Sequence, residues 1–230
     1  MVLVTGGQER APLHHLLSGS RNRAANEGDK GLDLKQALVG AAERTIATQG
    51  LSGLRARALA HKVGCAVGAI YNVVADLDEL ILLVNSRTIA ALERALTEAA
   101  KAEDQALAGP EQAIERLVHL AMVYTDFAAT NTRRWRALFE HRLPDGYALP
   151  AWYVAEQMRL FSYVEGPLRV LQPQATPERV ALTARSVVSA VHGMVTLGLE
   201  EKLYTLPLTS LREQVTFVVS AIGRGLVRQS

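Results

Sequence analysis

Glycine and proline divide this chain into segments that carry the period of an α-helix. In the first of these, apolar residues stand at Leu34, Leu38, Ala41, Ala42 and Ile46, the spacing of one helical face. No segment combines β-branched and aromatic residues with the two-residue alternation of a strand. The breaks between segments are Gly50, Gly64, Gly109-Pro110, Pro144-Asp145-Gly146, Gly166-Pro167, Pro177 and Pro207. Because Gly ends helices and Pro begins them, the pattern predicts an all-α chain of about nine helices.

The composition along the chain predicts three parts. Residues 1–30 are rich in Gly, Ser, Asn and Arg, which predicts a flexible N-terminal arm. Residues 31–75 hold three helical segments, two of them short, and residues 76–230 hold the remaining helices, most of them longer. We therefore expect a small N-terminal domain followed by a larger helical domain.

The composition also narrows the class of protein. Hydrophobic residues make up 49% of the 230 residues, which is enough for a substantial core. Cys65 is the only cysteine, so an internal disulfide is excluded, and the simplest role for this residue is a small buried one in a turn. The sequence opens without a basic segment followed by an apolar one, and no apolar run approaches the roughly 20 residues that span a bilayer. We expect a cytoplasmic protein without a membrane contact.

Residues 49–80 carry the strongest functional signal. Two short helices, predicted over Leu54–Val63 and Val67–Val73, are joined by the turn Gly64-Cys65-Ala66 and follow a longer helix. A helix-turn-helix needs such a glycine-containing turn and a second helix that is free to enter a DNA major groove. The segment therefore predicts a DNA-reading unit.

Two of the later helices begin with recognisable capping signals. Asp76, followed three residues later by Glu79, precedes a stretch without Pro or Gly that predicts one long helix over Leu77–Ala102. Thr176, followed by Pro177 and an acidic residue, predicts the start of another helix.

The segment of residues 49–80 resembles part of the DNA-binding domain of the tetracycline-repressor (TetR) family of bacterial regulators. That family's pattern joins a Gly after the first helix, an apolar-Ala pair, a Gly turn, a Gly-x-apolar-Tyr recognition helix and an acidic-Leu start of the fourth helix. The resemblance covers about residues 33–82 and implies a three-helix helix-turn-helix domain followed by a larger ligand-binding and dimerisation domain. The matching residues are Gly50, Leu59-Ala60, Gly64, Gly68-Ala69-Ile70-Tyr71 and Glu79-Leu80.

This chain also departs from the family pattern at four positions. Arg55 stands where the family usually places a capping Thr or Ser, and Ala66 where it often has Ser. Val74 stands where an aromatic residue is usual, and Leu77 where a phosphate-contacting Lys is common. These changes remove two hydroxyls and one cation from expected contacts with the DNA backbone. Either the affinity for DNA is lower than is usual in the family, or the N-terminal arm compensates.

Charge is concentrated in the N-terminal part. Residues 30–75 contain six basic and two acidic residues, a net charge of +4, so the rest of the chain carries −2. A positive end attracts phosphate, and its binding weakens with added salt. Arg21, Arg23 and Lys30 in the arm are candidates for a minor groove.

The resemblance and the chemistry of the side chains predict the DNA contacts. The cations and the Tyr71 hydroxyl suit phosphate, the two small apolar residues of the recognition helix suit thymine methyl groups, and Asn72 suits adenine or phosphate. The alternative for each cation is an ordinary solvated surface position. The predicted residues are Arg55, Arg57, Lys62, Ala66, Val67, Ala69, Tyr71 and Asn72.

Aromatic and sulfur-containing residues are frequent between residues 119 and 194. The walls of a pocket for a small, largely apolar molecule need such residues, and so does the core of a helical bundle. The resemblance implies that some of them line a pocket for an effector. The predicted ligand-binding residues are His119, Met122, Trp135, Phe139, Trp152, Phe161 and His192.

The last two helices carry long apolar faces. The first runs through Val180, Ala184, Val187, Val188, Val191 and Val195, and the second through Leu208, Leu211, Val215, Val218, Ile222 and Leu226. Such faces either bury within one chain or form a symmetric dimer. Val191-His192-Gly193 also resembles the Trp-His-Gly segment of a TetR subgroup, with Val in place of Trp.

Together these features predict a ligand-responsive DNA-binding transcriptional regulator, a repressor that acts as a homodimer on a palindromic operator. The alternative is a helical ligand-carrier or protein-interaction module that has lost DNA binding. An enzyme is not expected, because the sequence has no recognisable catalytic or phosphate-binding motif. Neither a metal nor another cofactor is expected.

Overall fold

The computed structural model describes residues 18–101, 109–200 and 207–228, and for residues 18–29 only the backbone. These residues form nine α-helices, a single 3₁₀ turn at Leu51–Gly53 and no strand, which confirms the predicted all-α class. The helices are α1 (Ser18–Gln49), α2 (Ala56–Val63), α3 (Val67–Ile70), α4 (Leu77–Lys101), α5 (Pro110–Thr130), α6 (Thr132–Glu140), α7 (Ala151–Leu171), α8 (Pro177–Gly198) and α9 (Leu208–Val227).

Helices α1, α2 and α3 and the start of α4 share one hydrophobic core. Each contributes fully buried side chains: Leu38 and Ile46 from α1, Leu59 from α2, Ile70 from α3 and Leu80 from α4. A helix of four residues such as α3 is not stable by itself. The position of α3 therefore depends on the burial of Ile70 against the other helices.

Helix α5 lies at the centre of the larger group of helices and packs against α4, α6, α7, α8 and α9. The core around it includes the fully buried side chains of Trp135, Leu168, Val195 and Val215. Helix α4 joins the two groups, because Val84 belongs to the first core and Leu92 packs with residues of α5. The boundary predicted at residue 76 stays a prediction, since α4 serves both cores.

Both predicted capping signals are confirmed. The Asp76 carboxylate accepts the Glu79 N–H at 2.7 Å, and the Glu79 carboxylate accepts the Ala75 N–H at 2.6 Å. The Thr176 hydroxyl accepts the Arg179 N–H at 3.3 Å at the start of α8. These bonds satisfy backbone donors that a helix N-terminus would otherwise leave unpaired.

Helix α1 begins at Ser18 and so extends into the segment predicted to be an arm. Arg21 and Arg23 therefore lie on a helical backbone, and their predicted contact with a minor groove stays a prediction. The rest of the predicted arm, residues 1–17, lies outside the described residues.

One further helix differs from its predicted bounds, and another resolves a prediction that left two outcomes open, a kink or an end at Gly166-Pro167. Helix α3 ends at Ile70, three residues earlier than predicted, and the chain continues as a turn to Val74. Helix α7 continues through Gly166 and Pro167. A proline inside a helix costs about 3 kcal/mol, whereas fully burying two leucines stabilises by roughly 3–6 kcal/mol. Leu168 and Leu171, directly after the proline, are both buried in the core and so keep the helix intact.

The apolar faces predicted on α8 and α9 are mostly turned into the core. Val180, Ala184, Val191, Leu211 and Val215 are all buried. Helix α8 is long and apolar enough to cross a membrane by length and composition, with a mean hydropathy of 1.4, in contrast to the expectation from the sequence. One such helix is weak evidence for a membrane, because core helices of soluble proteins pass the same test.

The close packing of α9 on α5 predicts opposite effects for two glycines of α9. A Cβ atom on Gly223 would lie 2.7 Å from Cγ1 of the buried Ile114, whereas a Cβ on Gly225 meets nothing within 4 Å. We expect Gly223→Ala to lower the free energy of unfolding by about 1–3 kcal/mol through overpacking. Gly225→Ala, the matched control, is expected to raise it by roughly 0.5–1 kcal/mol through a stiffer unfolded chain. Urea unfolding at one protein concentration measures both, and equal effects of the two substitutions would contradict this packing.

Candidate functional site

The turn between α2 and α3 is built on Gly64. Its φ of 73° and ψ of 34° lie in the left-handed region, which glycine adopts without a steric penalty. The Gly64 N–H donates to the carbonyl groups of Ala60 and His61, and the Cys65 N–H donates to Ala60 at 3.0 Å. The chain therefore reverses within three residues, and α3 begins at Val67.

Helix α3 presents one face to solvent while Ile70 anchors the other. The side chains of Val67, Tyr71 and Asn72 are exposed, with 39% of Val67 and 49% of Tyr71 accessible. Ala66 and Gly68 are exposed beside them, whereas Ala69 is only partly exposed. Of the residues predicted to read bases, Val67 and Asn72 are therefore accessible and Ala69 is half-buried.

The three predicted phosphate-binding cations differ in their surroundings. Arg57 is exposed on α2. The Arg55 guanidinium donates to the carbonyl of Leu54 at 2.8 Å, and the Lys62 ammonium donates to the Thr45 hydroxyl at 2.7 Å. An ammonium has three donors, so Lys62 links α2 to α1 and keeps donors for a further acceptor.

Helices α2 and α3 both begin without a side-chain cap. Arg55 and Ala66 occupy the N-cap positions, and neither side chain accepts a bond from its helix. This agrees with the departures noted in the sequence. The first-turn N–H groups of α2 are therefore not capped by the side chain at the N-cap position, and phosphate oxygens bind such groups well.

Part of the positive charge of this region is used within the fold. Lys35 pairs with Glu79 at 2.9 Å and ties α1 to the start of α4. The pKa of Glu79 is lowered, first by the backbone N–H of Ala75 and then by Lys35. Glu43 of α1 pairs with Arg87 of α4 and Arg134 of α6, both at 3.1 Å. The exposed cations outside these ion pairs include Lys30 and Arg44 of α1 as well as Arg55, Arg57 and Lys62.

An apolar cavity of about 80 Å³ lies between α4, α5, α7 and α8. Its walls are ten aliphatic side chains and two tyrosines, and none of these residues carries a charge at neutral pH. The lining residues are Leu92, Leu96, Leu117, Leu120, Ala121, Tyr124, Leu160, Tyr163, Val164, Val187, Val188 and Val191. Ligand pockets are built this way, mostly apolar with a few polar groups.

The Tyr124 hydroxyl joins three helices through hydrogen bonds. The Trp135 Nε1–H donates to the Tyr124 oxygen at 3.0 Å, and that oxygen lies 2.8 Å from Nδ1 of His192. Nε2 of His192 is 3.3 Å from the Thr196 hydroxyl. The Phe139 ring lies against the same imidazole with a centroid distance of 4.1 Å. Burial raises the pKa of Tyr124 and lowers the pKa of His192, so both side chains are neutral near pH 7.

Tyr163, the second tyrosine of the cavity, bonds to α4. Its hydroxyl lies 2.6 Å from the Thr97 hydroxyl, and Thr97 in turn donates to the carbonyl of Glu93 at 2.8 Å. A hydroxyl has a single proton. Since Thr97 uses its proton on Glu93, Tyr163 is the donor in its bond to Thr97.

The structure separates the seven predicted ligand-binding residues into three groups. Trp135, Phe139 and His192 lie together around Tyr124. His119 and Met122 line an open surface groove of about 590 Å³ between α5 and α9.

The third group lies on α7, where Trp152 is partly exposed and packs edge-on against Tyr153, and Phe161 is half-buried. None of the seven residues lines the apolar cavity. The residues that the prediction missed are Tyr124 and Tyr163, and for Tyr124 the signal was its helical spacing from Leu117 and Leu120.

Helix α6 connects this region to the N-terminal helices. Arg134 forms the ion pair with Glu43 of α1, and the buried Asn85 side chain of α4 donates to the Ala137 carbonyl at 3.2 Å. Arg136 donates to the Leu199 carbonyl just after α8 at 2.9 Å. Helix α6 thus touches α1, α4 and the end of α8 within nine residues. Among the described residues, no group of three or more His, Cys, Asp or Glu side chains could hold a metal ion.

Known proteins resemble this chain in two ways, in the sequence of its C-terminal part and in its fold. The sequence model described as the tetracyclin repressor-like C-terminal domain matches residues 117–222. No curated protein matches the sequence significantly.

Several solved structures share the fold at low sequence identity. A protein of unknown function from Rhodococcus sp. RHA1 has a TM-score of 0.64 and 20% identity, over 82% of this chain and 94% of that one. A TetR-family transcriptional regulator from Streptomyces coelicolor has a TM-score of 0.58 and 18% identity, over 86% and 87% of the two chains. The TetR-family transcriptional regulator PfmR from Thermus thermophilus has a TM-score of 0.52 and 17% identity, over 83% and 97%.

The lowered pKa of His192 predicts a dependence of stability on pH. In the unfolded chain this residue takes up a proton near pH 6.5, whereas in the folded chain it does so only at lower pH. The free energy of unfolding therefore falls as the pH drops below about 6.5. We expect His192→Asn to make this fall shallower in urea unfolding series at pH 7.5, 6.5 and 5.5. His61→Asn, at an exposed position on α2, is the control, and equal slopes for wild type and His192→Asn would contradict the prediction.

Proposed function

We propose that the chain is a member of the tetracycline-repressor (TetR) family and that it is a ligand-responsive transcriptional repressor that binds a palindromic operator as a homodimer. The observation that carries this proposal is the exposed face of α3. This helix follows the turn at Gly64 and is held in place by the buried Ile70. A protein of this kind works in the cytoplasm and acts by binding rather than by catalysis.

In the proposed complex α3 lies in the major groove. The exposed Val67 meets thymine methyl groups, and Asn72 pairs with adenine or contacts phosphate. Tyr71 donates its hydroxyl to a phosphate. Arg57, Lys62 and the uncapped start of α2 hold the neighbouring phosphates. These contacts place the cations at the edge of the groove and the small side chains at its floor.

The apolar cavity is the proposed effector site, and α6 is the proposed link to the DNA-binding helices. Tyr124 lines the cavity and also bonds to Trp135 of α6. Helix α6 in turn contacts α1 and α4 through Arg134 and Ala137. An effector that shifts Tyr124 would therefore change how α6 sits against the DNA-binding helices. Effector and DNA then prefer different conformations, and each weakens the binding of the other.

The proposed dimer forms through the outward faces of α8 and α9. The large apolar side chains there are Leu182 and Leu197 of α8, 55% and 58% exposed, and Phe217 of α9, 68% exposed. Only 28% of the most apolar stretch of α8 is buried within the chain. A second copy that covers these faces would remove the apolar surface from water and pair two recognition helices for a palindrome.

A second candidate function is a helical ligand-carrier or protein-interaction module that has lost DNA binding. The features in its favour are the departures from the family pattern at Ala66, Val74 and Leu77. Such a module would keep the cavity and the dimer but would not bind any DNA duplex with sequence selectivity. The first experiment below separates the two candidates.

We expect the protein to shift a labelled duplex selected from random sequence, and Tyr71→Ala to abolish the shift at low salt. Arg57→Gln is expected to weaken binding to all sequences and to reduce the slope of log K against log salt by about 1, because one phosphate contact is lost. Electrophoretic mobility shifts between roughly 50 and 300 mM salt measure both effects, these concentrations being about those over which a phosphate-dominated complex weakens.

Tyr147→Ala is the matched control for Tyr71→Ala. This tyrosine is 73% exposed in the loop between α6 and α7, and its replacement should leave the shift unchanged. If no duplex is retained selectively by the wild-type protein, the regulator is ruled out and the carrier module is favoured.

We also expect Phe217→Glu to convert a dimer into a monomer. The substitution places two carboxylates in an apolar interface, where burying an unpaired charge costs several kcal/mol, roughly enough to abolish association. Sedimentation equilibrium at micromolar protein measures the mass. The control is Met158→Glu, at an exposed apolar position of α7, which should leave the dimer intact. A wild-type protein that sediments as a monomer would refute the dimer.

A further inference from the structure

We infer that the apolar cavity binds an uncharged, mainly apolar molecule that donates a hydrogen bond through a hydroxyl or N–H group. The inference rests on the proposed effector site and specifies the chemistry of its ligand. It follows from the hydrogen bonds of Tyr124 and Tyr163, whose hydroxyls are the polar side-chain atoms carried by the described residues of the cavity wall.

The Tyr163 hydroxyl has no proton left for a ligand. Its proton goes to the Thr97 oxygen, because the Thr97 proton is used on the Glu93 carbonyl. What remains on the Tyr163 oxygen is lone pairs. Toward the cavity this residue therefore acts as an acceptor.

The Tyr124 hydroxyl is committed in the same way. Indole can only donate, so the Tyr124 oxygen accepts from Trp135. The short contact to His192 is then either O–H donating to Nδ1 or Nδ1–H donating to the oxygen. The second choice would leave the tyrosine proton unpaired in an apolar space, which costs about 1–3 kcal/mol. The proton therefore goes to Nδ1, His192 donates from Nε2 to Thr196, and Tyr124 also offers only a lone pair.

Because the polar side-chain atoms of the cavity can only accept hydrogen bonds, the cavity discriminates among ligands. A carboxylate would be buried without a counter-charge, and a ketone or ether oxygen would meet lone pairs without a donor, so both are disfavoured. An alcohol, a phenol or an amide N–H supplies the missing donor. The aliphatic walls hold the rest of the molecule and give no site for a cation.

The volume limits the size of a first probe. An engineered apolar cavity of about 150 Å³ in another protein takes up benzene. The present cavity, about 80 Å³, is about half that size, so a four-carbon probe must displace side chains of its walls to bind.

The test compares two isomers that differ in the donor. 1-Butanol has a hydroxyl proton, and diethyl ether has the same formula and only accepts. We expect 1-butanol to bind the DNA-free wild-type protein roughly three- to tenfold more tightly than the ether, the value of one net hydrogen bond, and butyrate to show no binding. Titrations followed by NMR shifts of the Leu and Val methyl groups of the cavity give the dissociation constants and the location.

Two variants attribute the preference to the tyrosines. Tyr163→Phe and Tyr124→Phe each keep the ring and remove an acceptor, so the preference for 1-butanol should shrink in each and approach unity in the double variant. Tyr147→Phe, in the exposed loop, should keep the wild-type ratio.

The inference is overturned if the ether binds the wild type as tightly as the alcohol, if butyrate binds, if no probe shifts the cavity methyl groups, or if the ratio survives in the double variant. Because no DNA is present, these results are independent of the mobility-shift experiment. If the protein binds 1-butanol selectively but retains no duplex, the inference about the ligand stands and the proposed function as a DNA-binding regulator is refuted.

Discussion

The hydroxyl of Tyr124 accepts from Trp135 and bonds to His192, and so connects α5, α6 and α8 inside an apolar core. Each buried donor or acceptor left without a partner there would cost about 1–3 kcal/mol, so the three side chains hold one another in a single arrangement. That arrangement sets where α6 lies, because Trp135 is fully buried in the middle of this helix. The position of α6 in turn determines which surface meets α1 and α4.

The contacts between α6 and the N-terminal helices are of a different kind. The pair between Arg134 and Glu43 is partly exposed, and ion pairs of this type contribute about 0–1 kcal/mol. The Asn85 bond to Ala137 is buried and contributes roughly another 0.5–1.5 kcal/mol. A fully paired centre thus adjoins a junction that combines an ion pair, one buried hydrogen bond and the packing of Ala137 in the N-terminal core.

Local signals in the sequence predicted part of the N-terminal group of helices. Gly64 adopts a left-handed turn, and Asp76 and Glu79 cap α4 within one turn, which depends on residues close in sequence. The burial of Ile70 next to the exposed Tyr71 depends instead on packing against α1, α2 and α4. The cavity was not predicted. Its walls come from four helices, from α4 with Leu92 to α8 with Val191. No local pattern in the sequence indicates which helices will be neighbours.

The sequence by itself determined the all-α class, the break points of most helices and the turn at Gly64, because helix period, caps and glycine turns act over a few residues. The tertiary structure decided that α7 continues through Pro167, since burial of Leu168 and Leu171 outweighs the cost of the proline. It also decided that Tyr124 and Tyr163 share one cavity while Trp152 stays at the surface. These outcomes depend on packing between distant helices, whose energies exceed those of any local preference.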